Sequence, residues 1–373
     1  MLAKHCTFVS CLTIMNLRQS IQQSKRPFLI AGPCSAENEE QVHKVVHDLA
    51  KETDIHLVRA GIWKPRTRPD SFEGLGDIAL PWLVEAGKIN GLPVTVEVAN
   101  KTHVEEALNA GVDVLWIGAR TTVNPFAVQE IADSLQGVDI PVMIKNPVNP
   151  DLELWIGAFE RLEKAGITDL VALHRGFSFY NHPKYRNVPH WEIPIALKER
   201  LGNLPLICDP SHISGRRDLL EEVSQKAMDL NFDGLMIETH PNPDAALSDA
   251  QQQITPQQLK NLLEHLVVRE SNAKHDVVDQ LNEYREQIAV LDGRLFDLFA
   301  ARMKISAQLG EFKRDHNITI FQREHWENMI RMRLEDVQEH GLTRQFVRRV
   351  MDEIHQESIR QQTRVMNPKR DQK

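Results

Sequence analysis

Short apolar runs alternate with amphipathic stretches from residue 27 to residue 268, and this alternation constrains the fold more than any other feature. Eight runs are predicted as strands: Phe28–Ala31, His56–Ala60, Val94–Val98, Val114–Ile117, Val142–Lys145, Leu170–His174, Leu206–Cys208 and Gly234–Glu238. A stretch of helical periodicity follows each run, and eight strand–helix pairs in about 240 residues is the size of a (β/α)8 barrel. The runs are apolar on both faces, as parallel strands covered on both sides should be. The sequence therefore predicts an α/β fold with a (β/α)8 TIM barrel.

A doubly wound open sheet is the alternative arrangement of such strands and helices. It lacks its usual support here, because no Gly-x-Gly-x-x-Gly sequence follows any predicted strand. The barrel remains the preferred prediction.

The chain changes character after Val268. Residues 269–275 are polar and predict a linker. From Asp276 to Lys313 there is no proline, and apolar residues recur in alternating steps of four and three, which predicts one helix of roughly 55 Å with a heptad seam. Two further helices are predicted at Arg323–His340 and Thr343–Met366. Because one helix is so long, three helices do not close a compact monomer, and an interlaced dimer is expected.

Composition narrows the class of protein. A chain of 373 residues predicts two domains, and its net charge of −8 argues against a nucleic-acid partner. No stretch is long and apolar enough to span a bilayer, and the segment Phe8–Met15 is too short and broken for a signal peptide. The four cysteines have no CxxC spacing, so neither a disulfide framework nor a zinc motif is predicted, which favours a reduced cytoplasmic setting.

The predicted domains are an amino-terminal extension over residues 1–26, the barrel over 27–268, the linker over 269–275 and a helical domain over 276–373. The extension is expected to be poorly ordered, with Met15 as an alternative start. Because the first strand begins so early, no amino-terminal regulatory domain is expected.

In a barrel of this kind, side chains at the carboxyl ends of the strands converge on one site. Four of them offer a thiol, an imidazole and two carboxylates: Cys34, His212, Glu238 and Asp249. This mixed set suits a borderline divalent ion such as Mn²⁺, Fe²⁺, Co²⁺ or Zn²⁺. Without the barrel, a buried apolar filler is the commoner role for a cysteine such as Cys34. In this company we predict a metal ligand.

A second group at the strand ends is cationic and consists of Arg59, Lys64, Arg66, Arg120, Lys145 and Arg175. Lysine and arginine side chains on a surface usually face solvent and say nothing about function. Six of them at the predicted strand ends of an acidic chain are less easily explained in this way. Arginine matches phosphate and carboxylate with two parallel hydrogen bonds, and lysine supplies a point charge. The two groups together predict a metal-assisted reaction between anionic metabolites.

Six motifs of the barrel resemble those of 3-deoxy-D-arabino-heptulosonate 7-phosphate synthases, in the subfamily shared with 3-deoxy-D-manno-octulosonate 8-phosphate synthases. They are Gly32-Pro33-Cys34-Ser35, Lys64-Pro65-Arg66-Thr67, Gly118-Ala119-Arg120, His174-Arg175-Gly176, Asp209-Pro210-Ser211-His212 and Ser248-Asp249. The resemblance covers residues 28–268. It implies the condensation of phosphoenolpyruvate with erythrose 4-phosphate, the first step of the shikimate pathway.

The same resemblance assigns roles to the strand-end residues. The four metal ligands would be Cys34, His212, Glu238 and Asp249, with Mn²⁺ as the first choice of ion. Phosphoenolpyruvate would be bound by Arg59, Lys64, Ala119, Arg120, Lys145 and Arg175. Erythrose 4-phosphate would face Pro65, Arg66, Thr67 and Asp209. The catalytic residues of the barrel would be Lys64, Glu97, Lys145 and His174, with Glu97 near the water that attacks the enol carbon.

The octulosonate synthases are the nearest rival. In that family Lys64 would be followed by a sequence of the type Ala-Asn-Arg-Ser. The Pro65-Arg66-Thr67 sequence here favours the four-carbon sugar.

In the long helix the heptad seam is interrupted at Arg302, where an apolar residue belongs. A register device or a solvated head group is the ordinary explanation. Lys313, three turns further on, returns to nearly the same face, and Ser358 and Gln362 share one face of the last helix. Cations and an amide at a dimer seam suit a small dianion.

This tail resembles the all-helical chorismate mutases over residues 277–366. The resemblance rests on Tyr284-Arg285-Glu286-Gln287-Ile288, Leu309-Gly310-Glu311-Phe312-Lys313 and Arg323-Glu324. It implies that chorismate is bound by Arg285 of the partner chain, Arg302, Lys313, Arg323, Glu324, Ser358 and Gln362. Among these, Arg302, Lys313 and Gln362 would be catalytic. Ile320 stands where the family commonly has an acidic residue, so reduced efficiency is expected.

Two hypotheses follow for the whole chain. The first is a bifunctional enzyme, a synthase followed by a mutase, whose mutase ligand (chorismate or prephenate) inhibits the synthase. The second is an octulosonate-synthase-like barrel with a helical tail that serves only for dimerisation and ligand sensing. Lys313 and Gln362 favour the first, because a simple zipper has no use for either side chain.

Overall fold

The structure is a computed structural model that describes residues 16–24, 27–64, 71–269, 275–335, 337 and 339–367. It divides the chain into two compact units, Met1–Ser271 and Asn272–Lys373. None of the helices in the described ranges is long and apolar enough to cross a membrane.

The first unit is built on a closed barrel of eight parallel strands, which confirms the predicted (β/α)8 fold. The barrel strands are β1 (Phe28–Gly32), β2 (Leu57–Ala60), β3 (Val94–Val98), β4 (Val114–Ile117), β5 (Val142–Lys145), β6 (Leu170–His174), β9 (Leu206–Cys208) and β10 (Gly234–Glu238). Between β6 and β9, the short strands β7 (Phe177–Ser178) and β8 (Asn187–Val188) form a separate antiparallel pair. Around the barrel the order is β1-β2-β3-β4-β5-β6-β9-β10, and β10 returns to β1.

A helix precedes the first strand, and the other helices of this unit lie in the segments that follow the strands. In chain order the helices are α1 (Leu17–Gln23), α2 (Glu39–Glu52), α3 (Leu80–Asn90), α4 (Lys101–Ala110), α5 (Ala119–Thr122), α6 (Pro125–Ser134), α7 (Leu152–Lys164), α8 (Glu192–Leu201), α9 (Pro210–Ser214), α10 (Leu220–Asp229) and α11 (Pro256–His265). Several begin at a side-chain cap, and Thr255 with Gln258 forms a capping box at the start of α11.

Two cores lie on opposite sides of the strands. The larger core fills the space between the strands and the surrounding helices, and the smaller one fills the barrel interior. Leu57, Trp116 and Met143 belong to the interior core, whereas their strand neighbours Val58, Leu115 and Ile144 belong to the outer core. Because successive side chains of a strand point to opposite faces, this alternation determines which residues at the strand ends reach the site.

The barrel closes where β1 pairs with β10, in a register that joins Phe28 to Gly234 and Gly32 to Glu238. Glycines permit the close approach of the backbones on both sides of β1. A Cβ on Gly234 would lie 2.2 Å from the carbonyl oxygen of Phe28 at this seam, and one on Gly32 would lie 1.9 Å from the carbonyl oxygen of Arg59 on β2. Gly32 also has a φ of +148°, which disfavours other residues.

Helix α1 is a finding that the sequence did not indicate. Residues 17–23 were expected to belong to a poorly ordered extension, but they form a helix whose Leu17 and Ile21 side chains join the interior core. The carboxylate of Asp169 accepts hydrogen bonds from the backbone N–H groups of Leu17 and Arg18, at 2.5 and 2.9 Å. Apolar burial and these bonds therefore close the barrel at the amino-terminal ends of its strands.

In its described residues the second unit contains three helices, α12 (His275–Asp315), α13 (Arg323–Glu335) and α14 (Arg344–Met366). Helix α13 ends before the predicted His340, and Gly341 takes a φ of +65° in the following turn. The apolar seam of α12 is largely exposed within one chain; Leu295 and Leu298 are 49% and 66% exposed.

Candidate active sites

Six strand positions place polar side chains on the inner face of the barrel near the carboxyl ends. They are Arg59 on β2, Glu97 on β3, Trp116 on β4, Lys145 on β5, Asp209 after β9 and Glu238 on β10. Arg59, Lys145, Asp209 and Glu238 are almost completely buried. Buried charges are costly unless they are paired, so their mutual arrangement carries information about the site.

The four predicted metal ligands converge. Oxygen and sulfur atoms of Cys34, Glu238 and Asp249 all lie within 4.8 Å of one another. Nε2 of His212 lies 3.8 Å from Glu238 Oε1, and its Nδ1 lies 2.8 Å from the Asp209 carboxylate, which orients the ring. Glu238 Oε1 is buried, accepts no hydrogen bond from the described residues and lies 3.3 Å from the Arg59 guanidinium.

The groups around Cys34 determine whether its thiol is protonated. Burial, and then the carboxylate of Glu238, raise the pKa of its thiol to about 12, although the Lys64 ammonium opposes the shift from 2.9 Å. A divalent ion would displace this proton and bind the thiolate. One sulfur, one imidazole nitrogen and two carboxylates form a donor set that fits Mn²⁺, Fe²⁺, Co²⁺ or Zn²⁺.

Two consecutive glutamines hold the segments that carry these ligands. The Gln252 amide donates to Glu238 Oε2 at 2.6 Å and accepts from Arg186 at 2.7 Å, and Arg186 also contacts Asp249 at 3.1 Å. Gln253 accepts from the Cys34 N–H at 3.0 Å and donates to the Ser248 carbonyl at 2.9 Å. Sequence reasoning missed both glutamines, because neutral amides in a loop do not stand out.

The predicted cations also gather at this end of the barrel. Arg59 lies 3.3 Å from Glu238, and Lys145 lies 3.0 Å from Asp209. Burial opposes ionisation of Asp209, but His212 and Lys145 hold the pKa of its carboxyl well below the usual range.

Arg175 has two other arginines near its guanidinium. Its guanidinium donates to Asn187 at 2.8 Å, and burial, with Arg186 and Arg120 nearby, lowers its pKa to about 10. Several cations at one end of the barrel favour an anionic ligand. Arg120 itself is exposed, and Ala119 is buried at the start of α5. Pro65, Arg66 and Thr67 lie outside the described residues.

His174 does not join the site, contrary to the catalytic role expected for it. Val171 and Leu173 face the barrel interior, so His174 on the same strand points outward. Its ring packs among Trp155, Phe177, Trp191 and Phe232, with centroids 5.4–6.5 Å away. Burial lowers its pKa to about 3, and the imidazole is therefore a neutral part of the outer core.

In the helical unit, Arg302, Ser358, Lys313 and Gln362 line the space between α12 and α14. Arg302 donates to the Ser358 hydroxyl, and Ser306, which was not predicted, lies 3.3 Å from the same oxygen. Lys313 is almost fully buried and donates to the carbonyl of Ile320 at 2.6 Å. Burial lowers the pKa of both Arg302 and Lys313. The side-chain oxygen of Gln362 is buried without a hydrogen bond from the described residues.

The close approach of α14 to α12 depends on Gly310. A Cβ there would lie 2.6 Å from Val365 and 2.9 Å from the Cα of Gln362. A glycine is therefore required for Gln362 to reach this space.

Three predicted chorismate ligands stand apart from this group. Arg285 precedes Arg302 on the same helix by about 25 Å at the usual rise per residue, so it cannot serve the same site within one chain. Arg323 is 79% exposed and pairs with Glu327 on its own helix at 2.6 Å. Glu324 is exposed as well.

Comparison with known protein families decides the relationship. The model described as "DAHP synthetase I family" matches residues 13–274. The chain belongs to this family. The model described as "Chorismate mutase type II" matches residues 284–363. The protein is therefore an enzyme that joins a DAHP synthase barrel to a chorismate mutase domain.

Individual relatives agree with this assignment. The "Phospho-2-dehydro-3-deoxyheptonate aldolase" of Thermotoga maritima is 32% identical over 238 residues, which are 64% of this chain and 68% of the relative. The "2-dehydro-3-deoxyphosphooctonate aldolase" of Delftia acidovorans is 28% identical over 67% of this chain and 92% of its own length.

The crystal structure of the Thermotoga maritima DAHP synthase superposes with a TM-score of 0.57 at 30% identity, covering 63% of this chain and 67% of that one. A truncated form of the Thermotoga maritima enzyme gives a TM-score of 0.55 at 27% identity, covering 63% of this chain and 83% of that one.

The glutamine contacts lead to a prediction about metal affinity. We expect Gln252→Leu to weaken Mn²⁺ binding about 10- to 100-fold, because Glu238 and Arg186 lose a buried partner. The signal of free Mn²⁺ in electron paramagnetic resonance titrations measures this affinity. The exposed neighbour Gln251, changed to Leu, serves as the matched control. Equal affinities of the two variants would contradict the role of Gln252.

Proposed function

We propose that the barrel condenses phosphoenolpyruvate with erythrose 4-phosphate in a metal-dependent reaction, and that the helical domain converts chorismate to prephenate. Family membership supports a bifunctional enzyme of aromatic amino acid biosynthesis. The observation that carries the barrel assignment is the convergence of Cys34, His212, Glu238 and Asp249 beside buried Arg59 and Lys145.

The residues of the barrel have separate roles in binding the two substrates and in catalysis. Phosphoenolpyruvate is bound by Arg59, Lys64, Arg120, Lys145, Arg175 and the backbone of Ala119. These cations orient it and stabilise negative charge as phosphate leaves, and Lys64 and Lys145 do so as catalytic residues. Glu97 orients the water that attacks the enol carbon. We assign binding of the sugar phosphate to Asp209 and to Pro65, Arg66 and Thr67.

The metal ligands are Cys34, His212, Glu238 and Asp249, and Mn²⁺ is our first choice of ion. A bound ion would supply Lewis-acid polarisation of the aldehyde oxygen of the sugar, which would favour attack on that carbonyl by the methylene carbon of phosphoenolpyruvate. Because Cys34 must stay reduced for this purpose, we place the enzyme in the cytoplasm. We propose neither nucleic acid nor a membrane as a partner.

Sugar specificity separates this proposal from its alternative, an octulosonate-synthase-like barrel with a sensing tail. We expect turnover of phosphoenolpyruvate with erythrose 4-phosphate, little with arabinose 5-phosphate, and loss of activity in chelator that Mn²⁺ restores. Release of inorganic phosphate measures all three. Preference for the five-carbon sugar would refute the substrate assignment, and full activity in chelator would refute the metal site.

The helical domain needs no nucleophile or proton transfer, because the rearrangement of chorismate is unimolecular. Its residues only have to hold the reactive conformation and stabilise charge on the ether oxygen. We assign the ether contact to Lys313 and Gln362, the carboxylates to Arg302, Arg323 and the partner's Arg285, and the hydroxyl end to Glu324 and Ser358. The open acceptor of Gln362 and the buried ammonium of Lys313 support this assignment.

We further propose that the helical domain forms an interlaced homodimer. Within one chain the seam residues Leu281, Ile288 and Leu291 are exposed, and a groove of about 1170 Å³ lies beside Phe296, Phe299 and Phe346. A partner helix would cover these apolar side chains and bring its Arg285 to the site.

Prephenate formation by the full chain tests both the proposed mutase site and the interlaced dimer. We expect Lys313→Ala to lower the rate about 100-fold or more, because the ether charge is no longer stabilised. Lys304→Ala, an exposed change on the same helix, is the control. Mixed Arg285→Ala and Lys313→Ala chains should regain activity, since one site per mixed dimer is intact. Unaltered Lys313→Ala rates would favour a simple dimerisation module, and failed complementation would refute interlacing.

Finally, we propose feedback on the synthase by a ligand of the mutase site, either chorismate or prephenate. Such coupling requires different contacts of the ligand in two states of the enzyme. We expect prephenate to inhibit the release of phosphate from phosphoenolpyruvate, and Lys313→Ala to relieve the inhibition. Unchanged synthase rates at prephenate concentrations that saturate the mutase site would refute the proposal.

A further inference from the structure

Trp116 occupies the centre of the inner face that carries the proposed phosphoenolpyruvate site. It lies on β4 with no exposed surface, and its side chain belongs to the interior core. In the register of β3 and β4 it stands directly opposite Glu97. A large buried aromatic ring is usually a packing residue, so its polar contacts decide whether it does more.

The first contact orients Glu97. Trp116 Nε1 donates a hydrogen bond to Glu97 Oε2 at 3.0 Å. The other carboxylate oxygen, Oε1, lies against Gly118, where a Cβ would be only 2.0 Å away. The carboxylate is thus held between the indole N–H and a glycine, which leaves it little freedom to rotate.

The second contact involves two of the cations. The guanidinium carbon of Arg59 lies 5.0 Å from the centroid of the Trp116 ring, and Lys145 Nζ lies 5.7 Å from it. Both side chains are almost completely buried, so the attraction between a cation and the indole face is not weakened by water. One ring therefore contacts groups from β2, β3 and β5.

We propose that Trp116 is a positioning residue of the synthase site, which sets Glu97 through its N–H and fixes the spacing of Arg59 and Lys145 through its ring face. This inference rests on the proposed function, because Arg59 and Lys145 are its phosphoenolpyruvate ligands and Glu97 its water-orienting group. The two contacts use different parts of the indole, so they can be removed separately.

Two substitutions separate the parts. Trp116→Phe keeps an aromatic face but removes the donor, and we expect kcat to fall about tenfold with little change in the KM for phosphoenolpyruvate. Trp116→Gln keeps an N–H donor but removes the ring, and we expect this KM to rise about tenfold with a smaller effect on kcat. If Trp116 only filled space, both variants would show a lower kcat together with a higher KM for phosphoenolpyruvate.

Trp155→Phe is the matched control. Trp155 is equally buried, but it packs in the outer core and its Nε1 donates to the Ile144 carbonyl at 3.2 Å. We expect kcat and KM of this variant to stay close to wild type. Thermal melting followed by circular dichroism checks the fold of every variant.

Intrinsic fluorescence adds a measurement that does not depend on turnover. We expect phosphoenolpyruvate to change the tryptophan emission of the wild type and of Trp155→Phe, and most of this change to be absent in Trp116→Phe. An undiminished change in Trp116→Phe, or parallel kinetic losses in both Trp116 variants, would overturn the inference. The Lys145→Ala variant tests the proposed phosphoenolpyruvate site separately. An unchanged KM for phosphoenolpyruvate in that variant would refute the binding site itself.

Discussion

The pairing of β1 with β10 is the contact on which the site depends. It joins strands from opposite ends of the first unit and sets Gly32 beside Glu238. Cys34, two residues beyond β1, thereby reaches Glu238 and Asp249. A Cβ at Gly234 would press against the backbone of β1 and shift this register, and one at Gly32 would press against the backbone of β2. The proposed metal ligands are therefore brought together by closure of the barrel, since no two of them lie in one local motif.

Buried charge is the second constraint. Arg59 with Glu238 and Lys145 with Asp209 form ion pairs with almost no solvent contact. Desolvation makes such pairs poor contributors to stability, so a barrel that retains them does so for another use. Arg175, with its lowered pKa and cationic neighbours, has still less compensation. This imbalance is the physical basis for assigning an anionic substrate to this end of the barrel.

Much of the architecture was predictable, because strands buried on both faces form continuous apolar runs between turn residues. The same property hides which way a side chain points. In Leu170–His174 both faces are apolar, so the outward direction of His174 could not be deduced before the interior core was known. Helix α1 has only seven residues, too few for periodicity to be read. Gln252, Gln253 and Trp116 act through neutral groups, which composition and charge patterns do not reveal.

Barrel closure also has a consequence during synthesis of the chain. Strand β1 finds its partner β10 about 200 residues later, and at ordinary translation speeds of about 5–20 residues per second this takes roughly 10–40 s. Over that interval one edge of β1 has no native partner, and unpaired strand edges readily join other chains. The first strand of the barrel is therefore the one whose pairing stays incomplete for the longest part of synthesis.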